Sequence, residues 1–323
     1  MIDGHIHYAE CIGEDRMLSI IEENNLTGVG LQCIPKGGVL KVEEDAFRLK
    51  EKCKVPVYIF GGIGREIYDL TEEKMGKALL AEAKRLMEMG CTGIKMLEAK
   101  PQVRKAHPIP DFDRPVWDEY FSYLEKERIP VYMHVNDPEE FWDASKVSDF
   151  AKKAGWFYDE NYINNEEQYR QILKRLEKHP RLKILFPHFF FMSKQLERLS
   201  KILDQYPEVR IDVTPGVELF LNLSDDIENA KSFFEKYQDR ILYGTDIGAR
   251  SVIKKEKALL SIEESRARVS LVTGFLEEKG EYLLYPDAYY AGDSPRVMHG
   301  LGLSQVQLKK MYEENFLIFI DKI

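Results

Sequence analysis

Asp3-Gly4-His5-Ile6-His7 is the stretch of this sequence best suited to chemistry. Successive side chains on a β-strand point to opposite faces, so His5 and His7 share one face. Two neighbouring imidazoles are a ready pair of nitrogen ligands for a divalent metal. Asp3 falls on the same face one step deeper, where it can accept a hydrogen bond from a ligand ring. The motif alone is common. Its weight comes from three distant residues, His134, His188 and Asp246, each at or near the end of an apolar strand. The remaining histidines read differently. His179 precedes Pro180 at a helix terminus and suits a capping role, and His107 and His299 fall in loops.

The elements that must position these residues alternate strand and helix. Apolar strands are expected at residues 2–7, 29–34, 55–63, 93–97, 129–135, 182–189, 209–214 and 241–245. Amphipathic helices are expected between them, for instance over 72–89, closed by Gly90. The stretch 98–114 is proline-containing and reads as a surface loop. Helices are expected to fill most of the chain beyond strand eight, broken by a polar stretch at 285–295. The strands are short and almost continuously apolar, as when both faces are buried. Eight strand–helix units with parallel crossovers predict a closed (β/α)8 TIM barrel of the α/β class, one domain over 1–323. It carries an insert after strand five and C-terminal helices. The competing open doubly wound sheet lacks support, because no Gly-x-Gly-x-x-Gly joins an early strand to its helix. In a barrel the site lies at the C-terminal strand ends, where His7, His134, His188 and Asp246 fall.

The chain has 323 residues, 44% of them hydrophobic, and a net charge of −9. The acidic balance and the lack of a basic block argue against nucleic acid. No apolar run approaches the roughly 20 residues of a membrane span. A strand starting at residue 2 leaves no room for a signal peptide, so a cytoplasmic protein is expected. Cys11, Cys33, Cys53 and Cys91 lack CxxC spacing and read as free thiols that pack.

The sequence resembles the amidohydrolase superfamily of metal-dependent barrels, and within it the amidohydrolase-2 branch. The residues that carry the likeness are Asp3-Gly4-His5-Ile6-His7, His134, His188 and Gly244-Thr245-Asp246. The resemblance implies that His5, His7, His134 and Asp246 hold one metal, with His188 a neighbouring catalytic or ligand histidine. It also implies hydrolysis of lactones and related compounds, or non-oxidative decarboxylation. The chemistry of the residues agrees. Imidazole and carboxylate without thiolate suit Zn2+, or Mn2+, Fe2+ or Co2+. A catalytic metal lowers the pKa of its water from 15.7 to about 7. Asp246 can take a proton from that water and return it to a leaving group, while His188 holds the nucleophile or the substrate oxygen.

Lys95 ends strand four. In binuclear relatives a lysine there is carboxylated and bridges two metals, whereas in this branch a basic residue serves the substrate, and a single metal is expected. Lys95, Arg65 and Arg250 are the candidate binders of an anionic substrate. Phe189 after His188 replaces the small residue of many relatives and is expected to narrow the pocket. The connection 136–165 is long and rich in rings, among them Phe141, Trp142, Trp156, Tyr158 and Tyr162. It begins beside His134, so it is expected to cap the site, with Trp142 offering an aromatic wall. The expected activity is metal-dependent hydrolysis of a small anionic carbonyl compound: a lactone, cyclic ester or amide. The alternative is a carboxy-lyase acting on an aromatic or enoic acid at the same metal. A barrel that only binds ligand is disfavoured by the intact ligand set. The partner is a small molecule; oligomeric state is left open, although barrels of this type often form homodimers.

Overall fold

Runs of β-branched, aliphatic and aromatic residues form eight parallel strands in the computed structural model. They are β1 (Ile2–Tyr8), β2 (Gly28–Cys33), β3 (Val57–Gly62), β4 (Gly93–Ala99), β5 (Val131–Val135), β6 (Ile184–Phe186), β7 (Val209–Asp212) and β8 (Ile241–Leu242). The structure describes residues 1–8, 13–34, 42–248, 260–290 and 292–321. Each strand pairs with the next in sequence order. Beyond β8 the chain pairs back onto β1: Gly4 N donates to Tyr243 O at 3.1 Å, Asp246 N to His5 O at 3.0 Å and His7 N to Ile247 O at 2.7 Å. Those bonds close the ring into a (β/α)8 barrel.

Two apolar layers hold it. Ile2, Phe60, Tyr132, Leu185 and Leu242 fill the barrel interior, where Phe316 and Phe319 from the C-terminal helix Asn315–Ile320 join them. A larger cluster lies between the strands and the surrounding helices, among them Glu14–Glu23, Glu72–Glu88, Asp118–Lys126 and Asn165–Lys178. These helices start where their sequences carry start signals. Asn164 caps the last of them, accepting from Glu166 N at 2.9 Å.

The departures from the sequence pattern have local causes. The sixth strand stops at Phe186, because Pro187 is followed by a 3-10 turn, His188–Phe191, whose residues all have φ between 52 and 57°. A run of phenylalanines mimics a buried strand in sequence, yet here it turns. The expected loop 98–114 contains a helix, Pro101–Ala106, begun by its proline. A further helix, Val217–Asp225, follows β7. The region beyond β8 is not all helical: β9 (Lys279–Leu284) and β10 (Arg296–Leu301) form an antiparallel ribbon. The insert contains a short helix, Asp149–Lys153, stopped near Gly155 at φ 76°.

Candidate metal centre

β1 does not alternate simply. Its register against β2 shifts between Asp3 and Ile6. Ile2 therefore packs inside the barrel, and a Cβ on Gly4 would meet Tyr132 Oη at 2.7 Å. Asp3 serves His5 through its backbone rather than through its ring. Asp3 Oδ1 accepts from His5 N at 3.0 Å, and its Oδ2 accepts from Thr245 Oγ1 at 2.5 Å. It ties β1 to the segment after β8, and burial pushes its carboxyl up to about 7.

The side chain that orients His5 is Asp212, at the end of β7. His5 Nδ1 donates to Asp212 Oδ2 at 2.9 Å, which leaves Nε2 with its lone pair. Asp212 Oδ1 also accepts from His188 N at 2.9 Å and Thr214 N at 3.0 Å. One buried carboxylate thus fixes a ring and a turn. His188 Nδ1 donates in turn to Thr214 O at 3.2 Å, leaving Nε2 unprotonated. Gly244 makes room for this: a Cβ there would lie 2.9 Å from His5 Cβ and 2.6 Å from Thr214 Oγ1.

Asp246 follows with φ 53°, a left-handed backbone that costs energy for a residue with a Cβ. Buried Arg268 donates to its carbonyl and to Glu264 Oε1 and stacks on Tyr289, holding that turn. Asp246 Oδ1 lies 2.8 Å from His7 Nε2 and 3.8 Å from His5 Nε2. Among the described residues, His5, His7 and Asp246 bring ligand atoms within 4.8 Å of one another. Asp246 Oδ1 and His7 Nδ1 are buried without a hydrogen bond of good geometry. Two imidazoles and a carboxylate oxygen that converge in this way suit a divalent cation. Burial holds His5 well below the ordinary histidine value, helped by the Lys95 charge, and also lowers His7. Against the pull of burial, His7 keeps the Asp246 carboxyl well below its usual range. Neutral rings beside an ionised carboxylate are the protonation states that metal ligands need.

His134 stands outside that three-residue cluster, though close by: its ring lies edge-on to His188, centroids 5.0 Å apart. Burial pushes it down to about 4 and His188 to about 3. His134 Nε2 is 2.8 Å from Asn136 O and 3.3 Å from Asp137 Oδ1. Lys95 is almost fully buried, deeper than the rim, with Nζ 3.0 Å from His5 Nε2. Burial pushes its ammonium down to about 8. Arg65 is partnered, Nη1 to Glu98 Oε1 at 3.2 Å. Arg250 lies outside the described residues. Trp142 donates from Nε1 to Ile163 O at 3.0 Å and meets Tyr158 edge-on at 4.7 Å, so these contacts keep it inside the insert. Phe141 stacks on Trp156 at 5.8 Å in the same ring cluster. Phe189 turns outward onto Phe233 and Phe234, and it is Phe191 that stacks on His188, centroids 4.9 Å apart. Asp212, Arg268, Asp137 and Lys100 were invisible to sequence reading, since each acts on a partner set by the fold.

Among the described residues no helix is long and apolar enough to cross a membrane. None of the curated proteins matches the chain. Solved structures resemble it over their whole length. One is 4-oxalomesaconate hydratase from Rhodopseudomonas palustris, 12% identical, with 100% of this chain and 96% of that one covered and a TM-score of 0.57. Another is a probable 2-pyrone-4,6-dicarboxylic acid hydrolase from Acinetobacter baumannii with citric acid bound, 11% identical, covering 99% and 98% with a TM-score of 0.54. A third is 2,6-dihydroxybenzoate decarboxylase from Rhizobium, 12% identical, covering 99% and 97% with a TM-score of 0.55. At such identities the likeness is one of fold. The family model Amidohydro_2, described as amidohydrolase, matches residues 69–315, which include His134, His188 and Asp246 and leave out the His5-x-His7 pair. That match spans well over half of the sequence, and the chain belongs to the amidohydrolase family.

Proposed function

We propose that this amidohydrolase is a metal-dependent hydrolase of a small anionic carbonyl compound: a lactone, cyclic ester or amide. The observation that carries the proposal is the convergence of His5, His7 and Asp246 at the barrel's C-terminal rim. The residues that would hold one divalent ion, Zn2+ by preference or Mn2+, are His5, His7, His134 and Asp246. When bound there, the ion would polarise the substrate carbonyl and bring a water to a pKa of about 7. Asp246, ionised and held by its turn, would accept a proton from the attacking water at its carboxylate and return it to the leaving group. His188, with Nδ1–H committed to Thr214 O, accepts a hydrogen bond at Nε2 and orients the nucleophile. Lys95 adds positive charge at the floor of the site, where an anionic group of the substrate can meet it. The insert caps the rim and excludes water, with Trp142 in its ring cluster.

The same residues would also serve a carboxy-lyase. A panel of lactones, cyclic amides and aromatic acids, assayed with Zn2+-loaded protein, tests the reading. Ring opening with uptake of water and no gas supports hydrolysis. Carbon dioxide released from an acid of the panel, with no ring opening, transfers the site to the lyase reading. Full metal content with neither reaction would reject both.

A further inference from the structure

Two oxygens surround one nitrogen of His134. Its Nε2 is 2.8 Å from Asn136 O and 3.3 Å from Asp137 Oδ1. Neither oxygen can donate, so Nε2 carries the proton and Nδ1 keeps the lone pair. Lys100 Nζ, 3.4 Å from the same nitrogen, has only protons to offer, and its partner is Asp137 Oδ1 at 2.7 Å. The other carboxylate oxygen, Oδ2, accepts from Tyr158 Oη at 2.5 Å. Asp137 is 4% exposed. Though burial opposes it, Lys100 and His134 hold its carboxyl far below the usual range.

We infer that Asp137 is a positioning residue for His134. Together with Asn136 O, the nearer acceptor, it holds the ring orientation and the tautomer that leave Nδ1 free for a metal, and Tyr158 carries this control into the insert. This rests on the metal reading proposed above. The physical reason is general: a ligand histidine whose second nitrogen is anchored on a carboxylate is pre-oriented and more basic. Tyr158 lies 21 residues along the chain from Asp137. Its ring meets Trp142 and Tyr162 at 4.7 and 4.8 Å, so the hydroxyl roots the insert's ring cluster on the residue beside the metal site. The hydroxyl restrains Asp137, which restrains His134.

Cobalt(II) titration of the full chain, followed by visible absorption, tests the inference without a substrate. Asp137→Ala is expected to weaken cobalt binding on the order of 10–100-fold, the usual cost of removing such an anchor, and to shift the absorption bands. Asp137→Asn keeps an oxygen acceptor, so it recovers part of the loss and also serves if the alanine variant folds poorly. Tyr158→Phe gives a smaller loss in the same direction. Lys100→Met separates positioning from mere structure, because it breaks the ion pair and leaves the Asp137–His134 contact. It is expected to keep wild-type affinity and spectrum. Wild-type affinity and bands in Asp137→Ala and Asp137→Asn overturn the inference, as does a Lys100→Met variant as weak as Asp137→Ala. His7→Ala distinguishes the two readings. If it loses cobalt while the Asp137 variants do not, the metal site stands and the positioning role falls. If wild type itself binds no cobalt, the metal reading falls and takes this one with it.

Discussion

Neutral imidazoles around an ionised carboxylate make the sharpest expectations at the scale of single residues. Purified protein should hold about one equivalent of divalent metal, as for a catalytic site with an open position. His7→Ala should lose most of it, by elemental analysis; full retention would remove His7 from the ligand set. Asp246→Asn keeps an oxygen but cannot shuttle a proton, so kcat should fall on the order of 10²–10⁴-fold. A near-normal kcat there would exclude it as the base. A pH effect belongs to Glu218, which lines a recess with His188. Burial raises its carboxyl from 4.5 to about 7, with Glu140 and Asp137 adding to the push. In the fold the charged form is disfavoured, so wild-type stability falls as pH rises from 4.5 to about 7. Glu218→Gln cannot ionise. Its melting temperature relative to wild type should therefore climb across that window and level off above it. A pH-independent difference would rule out the raised carboxyl. At this scale the sequence showed the candidate groups and hid those that orient them. His5, His7, His188 and Asp246 stand at strand or turn ends and are conspicuous by type. Asp212 is a single carboxylate in an ordinary apolar strand, and its tie to His5 spans 207 residues, beyond the reach of any local pattern.

Elements were legible where hydrophobic period and length agreed. β1 to β5 and the helix Glu72–Glu88 sit within a few residues of expectation. Strand six ran too long in the sequence reading, because Phe189, Phe190 and Phe191 look like a strand yet adopt left-handed backbone. The ribbon of β9 and β10 was missed because its outward face mixes Leu283 and Val297 with charged neighbours, and a two-stranded ribbon has no strong period to read. The C-terminal helix gives a test at this scale. Phe319 is buried inside the barrel and meets Tyr132 edge-on at 5.6 Å. Phe319→Ala should cost ~3–5 kcal/mol in denaturant unfolding, the range for a large buried ring. A cost near zero would mean that the helix does not plug the barrel.

For the molecule as a whole, closure of the ring depends on few contacts, and Asp3–Thr245 is one of them. Thr245→Val removes the hydroxyl that satisfies a buried carboxylate, at a cost of about 1–3 kcal/mol. Wild-type stability in that variant would show that the seam is held otherwise. Metal should act on the same seam. Ligand at 100 times its Kd adds about 2.7 kcal/mol to stability, so Zn2+ should raise the melting temperature of wild type and leave that of His7→Ala unchanged.

The seam has one more consequence, for the order in which the chain assembles. His5 and His7 stand on the first strand, whereas Asp246 comes after the eighth. Any cation shared among them is held by the two ends of the ring, so its site does not exist until nearly the whole barrel has been made and bent round on itself. Such long-range closure is slow. Capture of metal during refolding would then be a late event, a signal that the last strand has docked, and a nascent chain still lacking residue 246 would have nothing with which to complete the grip.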